Sequence, residues 1–273
     1  MFKTIFENVK IKHPLIQNIT NYVTINDCAN IILACGGSPI MAEDENEASE
    51  IASICNGLNI NVGNLDDSTV RAMIISGKKA NEINNPIVLD PVGAGASKLR
   101  TQINLKLLSE IKFSVIRGNV SEIKSLASGN MSTKGVDASE SDKITENNLD
   151  ETVKFVKSFS SKINSVIAMT GAIDIVSDNQ KTYIIRNGHS MMATVTGTGC
   201  QLSAMTAAFI AANPNRILES AAASVCAMGL AGEIAYNRLT KLDGNSSYRN
   251  YIIDAIYNLT PEELDKGAKY EIR

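Results

Sequence analysis

The chain has 273 residues, 44% hydrophobic and 20% charged, with 26 basic side chains against 29 acidic ones and a net charge of −3. That balance gives no electrostatic footprint for nucleic acid or an anionic membrane, and the lack of Trp leaves little to stack on bases. Five cysteines without paired spacing and only two histidines argue against a disulfide scaffold or a structural zinc site, so a cytoplasmic protein is expected.

Six prolines are spread along the chain and no Ser/Gly/Pro-dense linker interrupts it, which favours one domain over residues 1–273. The N-terminus lacks the apolar run of a signal peptide. Short apolar runs predict buried strands at Ser38–Met41, Leu58–Val62, Ile87–Asp90, Phe113–Ile116 and Ser165–Met169. Helices are predicted between them. Over Asp66–Asn81, Val70, Met73, Ile74, Gly77 and Ala80 recur at helical spacing behind an Asp N-cap. Over Asn148–Lys162, Leu149, Val153, Val156 and Phe159 form one stripe, whereas Ser128–Asn147 reads as a polar surface loop or a frayed helix. Strands alternating with helices predict an α/β fold of three layers, a mostly parallel central sheet with helices on both faces.

Further along, Ile173–Ser177 and Thr182–Arg186 flank a polar turn and predict an antiparallel hairpin at the sheet edge. Two helices of small residues follow, near Gly199–Ala212 and Pro214–Asn237, the second capped by Asn213. From Asn187 to Asn215 there is no Asp, Glu, Lys or Arg. Thr194, Thr196, Gly197, Gln201, Ser203 and Pro214 nevertheless interrupt the run, which therefore reads as turn and core helix, not as a membrane span.

In open α/β sheets, ligands bind outside the carboxyl ends of the strands, and several polar clusters fall at such ends. Asp90 heads Asp90-Pro91-Val92-Gly93-Ala94-Gly95; it either projects into the crevice or caps the turn before Pro91. In Arg117-Gly118-Asn119-Val120-Ser121-Glu122, Arg117 suits phosphate oxygens. Asn119 and Glu122 have the spacing of a helix cap, and Glu122 also suits Mg²⁺. Thr170, before Gly171, is either a plain turn residue or a hydroxyl for a nucleotide phosphate. The sharpest feature is Val195-Thr196-Gly197-Thr198-Gly199-Cys200-Gln201. Its alternating glycines open a helix, so Gly197, Thr198 and Gly199 form a potential anion hole for a transferring phosphoryl group. Cys200 falls in the first turn, where a thiol's pKa tends to drop, unless it is an ordinary small buried residue. No GxxxxGK[ST] loop is present. Near the N-terminus, Asn21 is either a helix N-cap or a ligand contact, and Met41 either core or an apolar surface for a small ring.

Taken in order, ITNYV, GGSPIMA, ANEINNPIVLDPVGAGAS, RGNVSEI and VTGTGC resemble the motifs of the hydroxyethylthiazole kinases, thiazole-salvage enzymes of thiamine biosynthesis with a ribokinase-like fold. The resemblance runs from about Pro14 to Gly232. Cys200 is its most specific element, because ribokinase-like sugar kinases generally carry Asp there. It implies ATP- and Mg²⁺-dependent phosphorylation of the primary alcohol of 4-methyl-5-(2-hydroxyethyl)thiazole. It also implies residue roles: Cys200 and Asp90 catalytic, Met41, Gly197 and Asn21 at the thiazole, Arg117 and Thr170 at ATP, Glu122 and Asp90 near Mg²⁺. A homotrimer is implied too, with sites between subunits, Asn21 and Met41 serving a neighbour. Gln17-Asn18 is a local departure, where relatives often have other residues including His. The alternatives are a related kinase for hydroxymethylpyrimidine or pyridoxal, and a non-catalytic thiazole or nucleotide sensor.

Overall fold

Side chains of a strand alternate between the two faces of its sheet, and here both faces are covered, so the strands at Gly57–Asn61, Ile87–Asp90 and Thr182–Ile185 are buried throughout. The computed structural model describes residues 1–129 and 144–273. Its strands are β1 (Leu15–Ile19), β2 (Ser38–Ile40), β3 (Gly57–Asn61), β4 (Ile87–Asp90), β5 (Val115–Asn119), β6 (Val166–Thr170), β7 (Asp174–Ser177), β8 (Thr182–Ile185) and β9 (Tyr270–Ile272). The first helices are α1 (Phe2–Lys12), α2 (Ile25–Cys35), α3 (Ala48–Ile54), α4 (Asp67–Glu82), α5 (Lys98–Glu110) and α6 (Val120–Ser128). They are followed by α7 (Leu149–Ile163), α8 (Thr198–Ala212), α9 (Ile217–Arg238), α10 (Asn245–Asn258) and α11 (Pro261–Gly267).

One sheet runs β2-β1-β3-β4-β5-β6-β7-β8-β9, parallel from β2 to β6 and antiparallel from there to β9. Ile16, Val88, Val115, Ala168 and Tyr183 face one way and join the core under α1, α2, α8, α9 and α10. Ile19, Leu58, Leu89, Ile116 and Ile167 face the other way and join the core under α4 to α7. The expected three layers are these. The chain passes from β1 outward to β2 and then returns to β3 on the other side of β1, so the order reverses between β1 and β3. Such a switch point is where an α/β sheet opens its crevice.

Local chemistry sets the helix starts. Asp66 caps α4 by accepting the Thr69 N–H at 2.9 Å, as predicted, and Ser97 does the same for α5. The small side chains of α8 and α9 let backbones approach: a Cβ on Gly57 would stand 3.0 Å from Ala211, and the Thr206 and Ser224 hydroxyls join the two helices at 2.8 Å. α9 is the one helix among the described residues long and apolar enough to cross a membrane, yet 72% of its apolar stretch lies inside the fold.

Several expectations shift. The predicted hairpin forms as β7 and β8 but is not the edge, because β9 pairs outside β8. The strand expected at Phe113–Ile116 runs from Val115 to Asn119, which draws Arg117 and Asn119 into the sheet. Asn213 does not cap α9; it lies at the end of α8 and donates to the carbonyls of Ile5 and Phe209. α9 starts three residues after Pro214, because the Arg216 N–H bonds the Asn213 carbonyl and closes a turn first. β1 went unread, since Gln17 and Asn18 break its apolar pattern. Both find partners across the fold: Asn59 donates to Asn18 across the strand pair at 3.1 Å, and the Gln17 nitrogen donates to Ala42 and Ser76, while its oxygen has no partner. Of the polar stretch Ser128–Asn147, Ser128 ends α6, Glu146 opens a short 3₁₀ turn, and residues 130–143 lie outside the described residues.

Gly229 of α9 packs directly on the Asn187 backbone, where a Cβ would lie 2.7 Å from the carbonyl carbon. Backbone cannot swing aside, so Gly229→Ala is expected to destabilise the fold by about 1–3 kcal/mol. Urea unfolding checks this; an unchanged midpoint contradicts it.

Candidate active site

Because Asp90 shares its strand face with Val88, and Arg117 with Val115, both point toward α8 at the carboxyl end of the sheet. Asn61 and Thr170 end β3 and β6, and Asn21 follows β1. The start of α8 closes over them. No side chain caps that helix; Gly197 stands before it at φ 85°, and a Cβ there would run into Thr24. The first intrahelical bond runs from the Gln201 N–H to the Gly197 carbonyl, so the amides of Thr198, Gly199 and Cys200 have no partner within the helix.

A chain of side-chain hydrogen bonds joins these elements. The Asn21 amide donates to the Cys200 Sγ at 3.4 Å and to the Asn61 Oδ1 at 3.0 Å. Asn61 Nδ2 donates to Asp90 Oδ2 at 2.8 Å, and the Ser203 hydroxyl donates to the same oxygen at 2.9 Å. Arg117 holds Thr170 Oγ1 at 2.7 Å and lies 3.7 Å from Asp90 Oδ2. Its guanidinium rests against Gly199, where a Cβ would come within 2.8 Å of Nη2. Two buried polar atoms are left over: Asp90 Oδ1 and Arg117 Nε.

The charges are held under tension by burial. Burial raises the Asp90 pKa, while Arg117, Ser203 and Asn61 oppose the rise. The Cys200 thiol is also pushed up, by burial first and then by the charge of Asp90. The expected lowering at a helix N-terminus is therefore overturned: enclosure and a neighbouring carboxylate outweigh the helix dipole, and the thiol stays neutral at neutral pH.

Asp90, Arg117, Thr170, Asn21, Cys200 and the Gly197–Gly199 turn are thus brought together. Asn21 proves not to be a helix cap: Thr24 holds that position, and Asn21 Oδ1 accepts the Thr24 N–H at 3.2 Å. Asn21 also contacts Cys200 of its own chain. Glu122 takes the helix-cap alternative, its two oxygens accepting the N–H groups of Gly93 and Asn119 at 2.9 and 2.8 Å. Met41 follows β2 at the same end of the sheet, half-buried on the core, outside the hydrogen-bonded chain. Asn61, Ser203 and Thr24 were not anticipated. The signal was available for Asn61 and Ser203, since Asn61 ends an apolar strand and Ser203 lies three residues after Cys200 on one helix face.

The family model for "HK: Hydroxyethylthiazole kinase family" matches residues 6–262. This chain belongs to the hydroxyethylthiazole kinase family. It is similar to the hydroxyethylthiazole kinase of Clostridium acetobutylicum, with 60% identity over 99% of both chains. Among solved structures, the hydroxyethylthiazole kinase protein of Pyrococcus horikoshii OT3 matches at TM-score 0.88 and 34% identity, covering 100% of this chain and 98% of the other. A ribokinase-like superfamily protein of Enterococcus faecalis matches at TM-score 0.60 and 12% identity, over 98% and 90% of the two chains, and shows the shared fold. This member of the thiazole kinase family therefore has the ribokinase-like architecture that its motifs implied.

Asp174 lies beside this end of the sheet, opening β7 and accepting the Gly171 N–H at 2.9 Å. The residue is half-buried, and burial lifts its carboxyl to about 7 against the pull of the Gly171 amide and Arg117. Glu122 is lifted to about 7 in the same way, by burial and then by Asp90. A raised carboxyl binds its proton more tightly in the folded than in the unfolded chain. Its stabilising contribution is then full below the ordinary carboxylate range and lost as pH rises through about 7. Denaturant midpoints are expected to fall between pH 5 and pH 8, and Asp174→Asn, which keeps an acceptor for Gly171, should flatten part of that fall. A variant with the full slope contradicts the assignment.

Proposed function

We propose that the protein transfers the γ-phosphoryl group of ATP to the primary alcohol of 4-methyl-5-(2-hydroxyethyl)thiazole, in thiamine salvage. Family membership and 60% identity to the Clostridium acetobutylicum enzyme support the activity and the substrate. The observation that carries the phosphate end of this reading is Arg117. Its guanidinium, one nitrogen unpartnered, rests on the uncapped and positively polarised start of α8. Set side by side, the guanidinium and the helix start can both reach one anion.

On this reading Arg117 and Thr170 hold the phosphates of ATP, and the amides of Gly197, Thr198 and Gly199 stabilise the moving phosphoryl group. Met41, Gly197 and Asn21 border the thiazole. The alcohol oxygen bonds to the γ-phosphorus, the bond to the departing ADP oxygen breaks, and the alcohol's proton passes to Asp90 Oδ1, the acceptor without a partner. Cys200, as a neutral thiol, lies beside the hydroxyl and shapes its approach rather than taking its proton. A loose transition state needs alignment more than a strong base.

The donor set also fits Mg²⁺ held through its waters. Glu122, whose two oxygens keep lone pairs beyond the amides of Gly93 and Asn119, together with the neighbouring Asp90 would hold the hydrated ion. When bound, the ion would neutralise phosphate charge. We read the chain as one kinase domain of the cytoplasm, and as a homotrimer whose subunits share their sites. Tyr22 and Val23, 64% and 73% exposed beside Asn21, support a neighbour covering that edge.

An ADP-release assay offered the thiazole alcohol, hydroxymethylpyrimidine and pyridoxal in turn tests the substrate, and the thiazole is expected to be preferred. Preference for another alcohol favours a related kinase, and thermal stabilisation without ADP release favours a sensor. Gly199→Val is expected to lower kcat/KM about a hundredfold or more, because its side chain would occupy the place of the Arg117 guanidinium. Undiminished turnover in that variant sinks the anion-hole assignment.

A further inference from the structure

Asn61 receives no role from the motifs or from the relatives, yet it links Asn21, and through it Cys200, to Asp90 by side-chain hydrogen bonds. We infer that Asn61 is the positioning residue of the reaction: its side-chain oxygen holds Asn21 against Cys200, while its nitrogen selects which oxygen of Asp90 stays free. The inference rests on the reading that this end of the sheet is the active site.

The amide orientation follows from its neighbours. Asn61 Oδ1 lies 3.0 Å from the backbone N–H of Gly63, a group that only donates. The oxygen therefore points to Gly63 and Asn21, and Nδ2 is left to donate to Asp90 Oδ2. With Ser203 on the same oxygen, Oδ2 is occupied and Oδ1 is the acceptor that remains. The backbone is shaped to permit this: a Cβ on Gly63 would lie 2.5 Å from the Asn21 Cβ, so glycine lets β3 turn directly beneath Asn21. Asn61 also stands at the end of β3, opposite Asp90 in the pairing with β4 and at the switch point between β1 and β3. It is buried with no exposed atom to offer solvent, and each polar atom has a partner.

Chemistry at this position cannot be shared with a similar residue. Aspartate keeps the acceptor for Gly63 and Asn21 but sets an oxygen against Asp90 Oδ2, where the nitrogen now lies at 2.8 Å. Alanine removes both arms. Asn59, two residues earlier on the same strand, is equally buried and donates to Asn18 at 3.1 Å, and that hydrogen bond reaches none of the candidate site residues. It serves as the control for mere loss of a buried amide.

Steady-state kinetics of ATP-dependent thiazole phosphorylation, with thermal melting of each variant, test the inference. Asn61→Ala is expected to lower kcat tenfold or more while KM for ATP stays within twofold, because Arg117 and Thr170 keep their contact. Asn61→Asp should fold and lose kcat comparably, which keeps the test intact if the alanine variant fails to fold. Adding Asn21→Ala to Asn61→Ala should lower kcat little further, since both remove the same link, while loss of the Asn21 contact to the thiazole is read separately in KM for the thiazole. Asn59→Ala should lower Tm and leave kcat unchanged. Wild-type kcat in Asn61→Asp, independent losses in the double variant, or an equal kcat loss in Asn59→Ala each overturns the inference. Arg117→Ala and Asp90→Asn separate it from the site reading. If both are fully active, that reading fails and this inference falls with it; if both are inactive while Asn61→Asp works, only the inference fails.

Discussion

A carboxylate enclosed beneath the first turns of a helix is the constraint around which this end of the sheet is built. Asp90 is almost completely shielded from water, and an isolated buried charge would cost several kcal/mol. Donors therefore converge on it from three elements, Asn61 on β3, Ser203 on α8 and Arg117 on β5. Placing them needs parallel strands whose ends lie level and whose alternate residues face the same layer. It also needs a helix of small residues that can come close enough for Ser203 to reach the sheet. The alanines of α8 and the glycine at position 57 meet that second requirement.

Arg117 couples this buried carboxylate to the outer part of the site. One guanidinium touches Thr170, stands near Asp90 and lies along Gly199, so it spans the phosphate side and the acceptor side at once. A lysine would place a single point charge there and lose the planar fork that reaches two neighbours together. The same geometry explains why the glycine turn lacks local charge: the arginine arriving from β5 supplies it from the sheet.

Much of this was legible in residue order. The Asp66 cap, the stripe of α7, the β7–β8 hairpin and the glycine turn into α8 each rest on local chemistry that the tertiary fold only had to accept. What escaped depended on distant partners. β1 looked too polar for a central strand because the partners of Gln17 and Asn18 come from Ser76 and Asn59. β9 is a three-residue strand that exists by pairing with β8, and nothing in Tyr270–Ile272 alone demands it. In the site, the clusters around Asp90, Arg117, Thr170 and Cys200 were visible as strand ends and a helix start. Asn61 and Ser203 had a positional signal too, a strand end and a helix face, but a single Asn or Ser shows its role only once a buried carboxylate lies opposite. Cys200 shows the reverse: its position in a first turn was plain, but the enclosure that reverses its titration came from layers far away in sequence.

The paired amides of Asn18 and Asn59 bear on folding specificity. Apolar strands can slide past one another with little change in burial, and β1 and β3 would otherwise be open to such errors. Asn18 lies directly opposite Asn59, and sliding β1 along β3 would separate the two amides and strand both in a dry core. The pair thus acts as a sliding lock for the centre of the sheet. What it locks is the level of one strand end against the other, and hence the gap that Asn21 must cross to meet Asn61.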